Sequence, residues 1–163
     1  MDWFIADTHF SHKNILAYEA DNRPYDTIEE HDADLVLKWN SVVKPDDKVY
    51  LVGDVAFSSA QHFLGQLNGK IIVVLGNHDY PNKVPNMLQF DHVKVAGAIE
   101  YKGGIITHIP VHESQLDRFT FNIHGHLHSL SIEDPRYICV SAEHNYLYPI
   151  SWTVLEEHVK RLT

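Results

Sequence analysis

Seven residues with metal-ligand chemistry stand at the ends of apolar runs. Asp7 and His9 follow "DWFIA", Asp54 follows "KVYLV", and Asn77 follows "KIIVVL" with His78 beside it. His108 follows "GGIIT", and His126 and His128 sit in "HGHLH" directly after "FTFNI". Carboxylate, amide oxygen and imidazole, with no thiolate, suit hard-to-borderline divalent ions such as Mn, Fe, Zn, Ni or Mg. Seven donors exceed what one tetrahedral ion with an open position takes. They suit two ions that share a carboxylate, roughly 3.5–4 Å apart. Asp7 and His9 are two positions apart, as are His126 and His128. In extended chain such residues share a face, so each pair is expected to converge on one point. Glycine precedes a donor at Gly53, Gly76 and Gly125. It is expected to let the backbone turn so that the next side chain points into the site.

The runs that carry these donors are rich in β-branched and aromatic residues, the composition of strands covered on both faces. In open α/β sheets, ligands bind at the carboxyl ends of strands. Between the runs lie helix-like patterns. Residues 26–43 place Ile28, Leu35, Trp39 and Val42 near one helical face, with Asp26 as expected N-cap and Glu29 three residues on. Residues 58–67 read as a short helix opened by Ser58 or Ser59, and residues 151–162 as a C-terminal helix capped by Ser151. The alternation predicts a layered α/β fold.

Composition narrows the function. The chain has 163 residues, enough for one domain with a real core, so residues 1–163 are expected to form a single domain. The longest apolar runs fall far short of a membrane span, and the start, "MDWFIADTHF", has neither a basic leader nor a signal-length apolar stretch. A single cysteine, Cys139, excludes an internal disulfide framework and is expected to be an inert buried thiol. A soluble, cytoplasmic protein without a membrane partner is the expectation. The formal charge is −9 with no lysine or arginine run, which argues against an extended nucleic-acid partner. Composition does not define the oligomeric state.

At these residues the sequence resembles the calcineurin-like metallophosphoesterase superfamily, most closely its small single-domain branch. The resemblance rests on D-x-H at Asp7 and His9, G-D at Gly53 and Asp54, and G-N-H-D at Gly76 to Asp79. It continues with a lone His108 and G-H-x-H at Gly125 to His128, all in family order. It implies a sandwich of two β-sheets flanked by helices in four layers. It implies one metal held by Asp7, His9 and His128, a second by Asn77, His108 and His126, and Asp54 bridging the two. His78 is then expected to face the substrate phosphate. One position departs from the pattern: the family extends G-D to G-D-x-x-D, whose last Asp orients the G-N-H histidine, and here Phe57 stands there. Asp79, Asp117 and Glu143 are the alternative partners for His78.

The expected chemistry is hydrolysis of a small phosphate ester by a metal-activated hydroxide, Mn being the leading metal. Diesters are slightly favoured over monoesters because few basic residues accompany the motifs. His78 is expected to stabilise phosphoryl oxygens or protonate the leaving alkoxide. Two other readings compete: a non-catalytic scaffold of the same fold, resembling the retromer subunit, and a small nuclease resembling the repair exonucleases. The first tends to lose the active histidine, and the second carries a DNA-capping domain. Among the remaining residues, His12 reads equally as substrate-facing or as a solvated loop residue. His124 is expected to be hydrogen-bonded and partly buried. His31, His62, His92, His112, His144 and His158 are expected at the surface or at caps. Trp39 is expected as a core anchor, Asn40 as a possible neighbour of the site, and Lys13, Arg23 and Arg118 mostly as solvated surface.

Overall fold

The apolar runs of the N-terminal half become strands because both of their faces are covered. In the computed structural model, which describes residues 1–162, β1 (Asp2–Ile5), β2 (Lys48–Leu51) and β3 (Lys70–Val74) lie parallel and adjacent. β4 (Val93–Ala96) extends this sheet in parallel beyond β3, and β9 (Ile150–Ser151) closes it antiparallel to β1. Alternate side chains then divide between two cores. Ile5, Val49, Leu51, Ile71 and Val73 pack with Leu35, Trp39, Phe63, Leu64 and Met87 in one cluster. These partners come from α2 (Ile28–Val42), α3 (Ala60–Leu64) and α4 (Val84–Met87), so helices cover that face. A fully buried leucine such as Leu35 contributes roughly 1.5–3 kcal/mol.

Phe4, Tyr50, Val52 and Val74 face the other way, into a second core shared with Tyr101, Ile106, Ile123 and Ile138. Those residues belong to a second sheet, ordered β5 (Ile99–Tyr101), β6 (Gly104–Ile106), β7 (Asn122–His124) and β8 (Tyr137–Cys139). Its last three strands are parallel. Trp152 and Leu155 of α5 (Trp152–Val159) complete the inter-sheet core. The result is the expected two-sheet sandwich flanked by helices.

The boundaries differ in instructive ways. The N-cap of α2 is Thr27, not Asp26: its extended backbone and a side chain that accepts from Glu30 N at 3.2 Å open the helix one residue later. Ser151 and Ser59 occupy N-cap positions without a capping hydrogen bond from their side chains. The run "FTFNI" enters its strand only at Asn122, Phe121 serving as a buried core residue before it. β4, β5, β8, β9 and the single-turn α1 (Ile15–Tyr18) have no counterpart in the apolar-run pattern. They are two to four residues long and partly exposed, too short to show a period.

Candidate metal centre

The strands end two or three residues before their first donors, and the donor segments are not extended. Asp7, His9, Asp54, His126 and His128 all have φ between 48° and 71°, the left-handed region. Alternation of left-handed and ordinary residues, rather than a pleated strand, brings each i, i+2 pair together. Non-glycine residues held there cost of order 1–3 kcal/mol each, so the surroundings must impose the geometry. They do so through paired loops. Asp7 N donates to Gly53 O, His9 N to Asp54 O and Phe10 N to Val55 O, each at 3.0 Å. Thr8 Oγ1 donates to Val55 O at 2.8 Å.

The three glycines serve two different ends. Gly53 has φ +84°, the turning role the sequence suggests. Gly76 and Gly125 have no positive φ and are needed for space. A Cβ on Gly76 would meet Asp54 Oδ1 at 2.3 Å, and one on Gly125 would meet Asp7 Oδ2 at 2.6 Å. The carboxylates of the site press directly against bare backbone.

All seven sequence-derived donors come together at the carboxyl ends of β1, β2, β3, β6 and β7. Donor atoms of Asp7, His9 and His128 lie within 4.8 Å of one another, as do those of Asp7, Asp54 and His108. His9 Nε2 stands 3.7 Å from Asp7 Oδ1 and 3.6 Å from Asp54 Oδ2, while His108 Nε2 stands 3.4 Å from the same Asp54 oxygen. These spacings are long for hydrogen bonds, and they approach the ~3–3.6 Å that separates two ligands ~2.1 Å from a common ion. Asp7 Oδ1 and His9 Nε2 are also buried with no hydrogen-bond partner. Such orphans are costly unless something else binds them. Asn77 Oδ1 joins the cluster at 3.0 Å from His108 Nε2 and 2.9 Å from His126 Nδ1. The donor set and the orphaned atoms fit divalent cations.

The histidines are held by their far nitrogens, the usual way of fixing a ligand tautomer. His108 Nδ1 donates to Val52 O at 2.8 Å, and His128 Nδ1 donates to Glu143 Oε1 at 3.1 Å. His9 Nδ1 lies 2.9 Å from His12 Nδ1. Burial, then the neighbouring His9, lowers His12 to about 4, so His12 is neutral and can accept from His9 Nδ1 when His9 Nε2 is the ligand atom. Burial pulls His108 down as well, but the adjacent Asp54 and Asp7 carboxylates outweigh it and push the imidazole up to about 9. In return, although burial opposes it, Asp54 is held at about 2 by His108 and by the His78 backbone N–H.

His78 stands half-buried at the mouth, 6.1 Å ring to ring from His9. None of the three alternative carboxylates orients its ring among the described residues. Asp79 instead accepts from the backbone N–H groups of Asp54, Val55 and Gly76 at 2.7–3.0 Å, fixing the loop that carries Asp54. Glu143 pairs with Arg23 and His128, and Asp117 ends an exposed 3-10 turn. Phe57, exposed to 38%, lies flat on His12 at 3.6 Å and tilted against His78 at 4.9 Å.

Other expectations need correction. Arg23 is not surface: it is fully buried and donates to Asp7 O at 2.6 Å, to Thr8 O at 3.1 Å and to Glu143. His31 is equally buried, 2.9 Å from Arg23 Nη1 and 2.8 Å from Asp32. A buried charge is tolerable only when paired, and the carboxylate that pairs with Arg23 lies 120 positions away, so no local signal marks its burial. Glu19, His128 and Glu143 also lie close enough to share an ion, but Glu143 already serves Arg23 and His128 through Oε1. Asn40 lies away from the site, joined to Gln66 O and Asn68 N before β3 begins. Trp39 is the core anchor, its indole donating to Asn68 O. His124 is buried and hydrogen-bonded to Gly125 O, His112 caps a short turn, and Cys139 is only half-buried. Lys13 and Arg118 are exposed and, among the described residues, bond to no donor of the cluster.

A sandwich of two sheets whose parallel strands deliver Asp, Asn and His to one edge defines a metal-centred phosphoesterase fold. The chain belongs to the calcineurin-like phosphoesterase family, whose model matches residues 3–162. Membership implies metal-dependent hydrolysis of a phosphoester. The chain is 32% identical over 141 residues to the uncharacterized protein MJ1445 of Methanocaldococcus jannaschii, covering 83% of this chain and 74% of that one. It is 34% identical to the Gene 66 protein of Mycobacterium phage L5, over 78% and 77% of the two chains. The crystal structure of AQ665, a protein of unknown function from Aquifex aeolicus, superimposes with a TM-score of 0.73 at 26% identity, covering 96% and 98%. Among the described residues no helix is long and apolar enough to cross a membrane.

Proposed function

We propose that the protein is a cytoplasmic, single-domain phosphodiesterase that acts on a small phosphate ester with two divalent ions, Mn foremost. The observation that carries this reading is the position of Asp54 Oδ2, 3.6 Å from His9 Nε2 and 3.4 Å from His108 Nε2. One carboxylate oxygen between two imidazoles is suited to bridging. Asp7, His9 and His128 would hold one ion, and Asn77, His108 and His126 the other. When bound, the ions supply Lewis acidity, making water acidic near neutral pH and neutralising charge on the phosphoryl oxygens.

The chain's own residues do the rest. Asp79 and the Gly53 turn fix Asp54, and Glu143, Val52 O and His12 fix the His128, His108 and His9 rings. His78 gives its proton to the departing oxygen, a role worth typically ~10²–10⁴-fold. Preference for a diester is supported by the cations nearby. Arg23 is committed to Glu143 and two carbonyls, and Lys83 Nζ to Ala56 O and His78 O. Neither is free to meet the second charge of a monoester.

The test is an assay of Mn-reconstituted protein against nitrophenyl mono- and diesters, linear dinucleotides and cyclic nucleotides. Diester hydrolysis that is lost to a chelator and restored by Mn is the expected result. Hydrolysis confined to monoesters would overturn the diester assignment. No hydrolysis of any ester by protein loaded with two ions would overturn the enzymatic reading.

A further inference from the structure

No hydrogen bond holds the His78 ring among the described residues, and Phe57 occupies the position from which a carboxylate would reach it. What fixes His78 acts through its backbone. Its N–H donates to Asp54 Oδ1 at 2.9 Å. Its carbonyl accepts from Lys83 Nζ at 3.0 Å, and the same Nζ donates to Ala56 O at 2.9 Å. Lys83 closes the 3-10 turn Pro81–Lys83 and is itself half-buried. Its ammonium lies 5.7 Å from the Phe57 ring centroid and 5.2 Å from that of Tyr80, the two aromatic rings other than His9 that pack against His78. One ammonium therefore ties the loop carrying His78 to the loop carrying Phe57, and it rests on both rings that wall the imidazole. Three rotatable donors and affinity for aromatic faces suit lysine to this task.

We propose that Lys83 is the positioning residue for His78, taking over from behind the loop the part that the family resemblance assigns to a carboxylate at position 57. The proposal rests on the phosphoesterase reading and on His78 protonating the leaving group. Loss of the tether frees the loop, and a misplacement of ~1 Å in a reacting geometry costs on the order of 10²-fold.

The experiment is a double-mutant cycle on Mn-loaded protein with Lys83→Met, His78→Asn and the double variant. It reads kcat/KM for an alkyl diester and a nitrophenyl diester, with metal content and melting temperature recorded for each. Lys83→Met is expected to slow the alkyl ester about 10²-fold and the nitrophenyl ester little, with metal content unchanged. Lys83→Arg, which keeps donors for both carbonyls, is expected to recover most of the loss. In the His78→Asn background, Lys83→Met is expected to cost nothing further, because its effect passes through His78. An equal loss in both backgrounds overturns the proposal. A second readout is independent of turnover: the ring signals of His78 in long-range 1H–15N spectra of metal-free protein, assigned by their disappearance in His78→Asn. They are expected to broaden or shift in Lys83→Met and to return in Lys83→Arg. Unchanged ring signals overturn the positioning role even where no ester is hydrolysed, the result that by itself would sink only the enzymatic reading.

Discussion

Arg23 and Glu143 lie 120 positions apart in the chain and meet as a sealed ion pair, Nη2 to Oε1 at 2.6 Å, their side chains 0% and 1% exposed. The guanidinium also holds the Asp7 and Thr8 carbonyls, and the carboxylate also holds His128. This pair thus braces the left-handed loop at one side of the donor cluster and the His128 imidazole at the other. Removing one partner of a buried pair typically destabilises by about 3–5 kcal/mol, because the other charge is left unpaired. Arg23→Met is expected to lower the unfolding free energy of metal-free protein by that order in urea titrations. A loss below about 1 kcal/mol, the value of an exposed pair, contradicts this account.

Stoichiometry tests the bridging assignment. Wild-type protein supplied with Mn is expected to retain two ions per chain by elemental analysis, as the donor set suggests. Asp54→Asn is expected to weaken both ions together. Retention of one ion at full affinity in that variant shows that Asp54 serves a single site.

Metal uptake is expected to release protons, with a definite sign. His108, pushed up to about 9 in the metal-free protein, must surrender its Nε2 proton to ligate an ion. Apparent affinity therefore rises about tenfold per pH unit below that pKa and levels above it. Metal-free stability runs the other way. Burial lowers His128, but its bond to Glu143 raises it on balance, so His108 and His128 both have folded pKa values above the unfolded value of ~6.5. Their stabilisation is complete below ~6.5 and fades as pH climbs through the folded values. The melting temperature of chelator-treated protein should fall between pH 6.5 and about 9, while Mn affinity by calorimetry in two buffers should increase. A flat affinity profile over that window removes the proton from His108.

Gly125→Ala probes the close approach behind the centre. The new Cβ would stand 2.5 Å from Ala6 Cβ and 2.6 Å from Asp7 Oδ2, neither of them the free end of a flexible chain. Asp7 is expected to shift and metal affinity to fall by 10-fold or more, about the effect of losing a supporting contact to a ligand. Affinity equal to wild type means that the backbone yields instead.

The donors were legible because each stands beside its own short run: a β-branched stretch, a turn, then Asp, Asn or His. Their convergence was legible too, though for a different reason than expected. A strand's pleat is written in the sequence, whereas the left-handed φ of Asp7, His9, His126 and His128 is not, since no glycine marks it. Gly76 and Gly125 illustrate the same gap, because the neighbour that forbids a Cβ comes from another segment. Arg23 reads as solvated surface, and His31 as a surface or cap residue. The burial of Arg23 depends on Glu143 and on the Asp7 and Thr8 carbonyls, which no local window contains, and His31 is buried against Arg23 in turn. The helix on residues 28–42 was visible through its apolar face, and strands as short as β9 carry too few residues to show any period.

The way Asp7 is held also orders events during folding. Its Oδ2 accepts from His126 N, 119 positions away, and from Ser141 Oγ, 134 positions away. Residue 6 is bridged to residue 141 beside it. Contacts of such span form late, because closing long loops must precede any gain from them. A chain with only β1 to β4 paired presents Asp7, His9, Asp54 and Asn77 but lacks every imidazole of the second sheet. Tight capture of an ion during refolding is therefore expected to mark the moment when the two sheets dock, with its rate as a clock for that step.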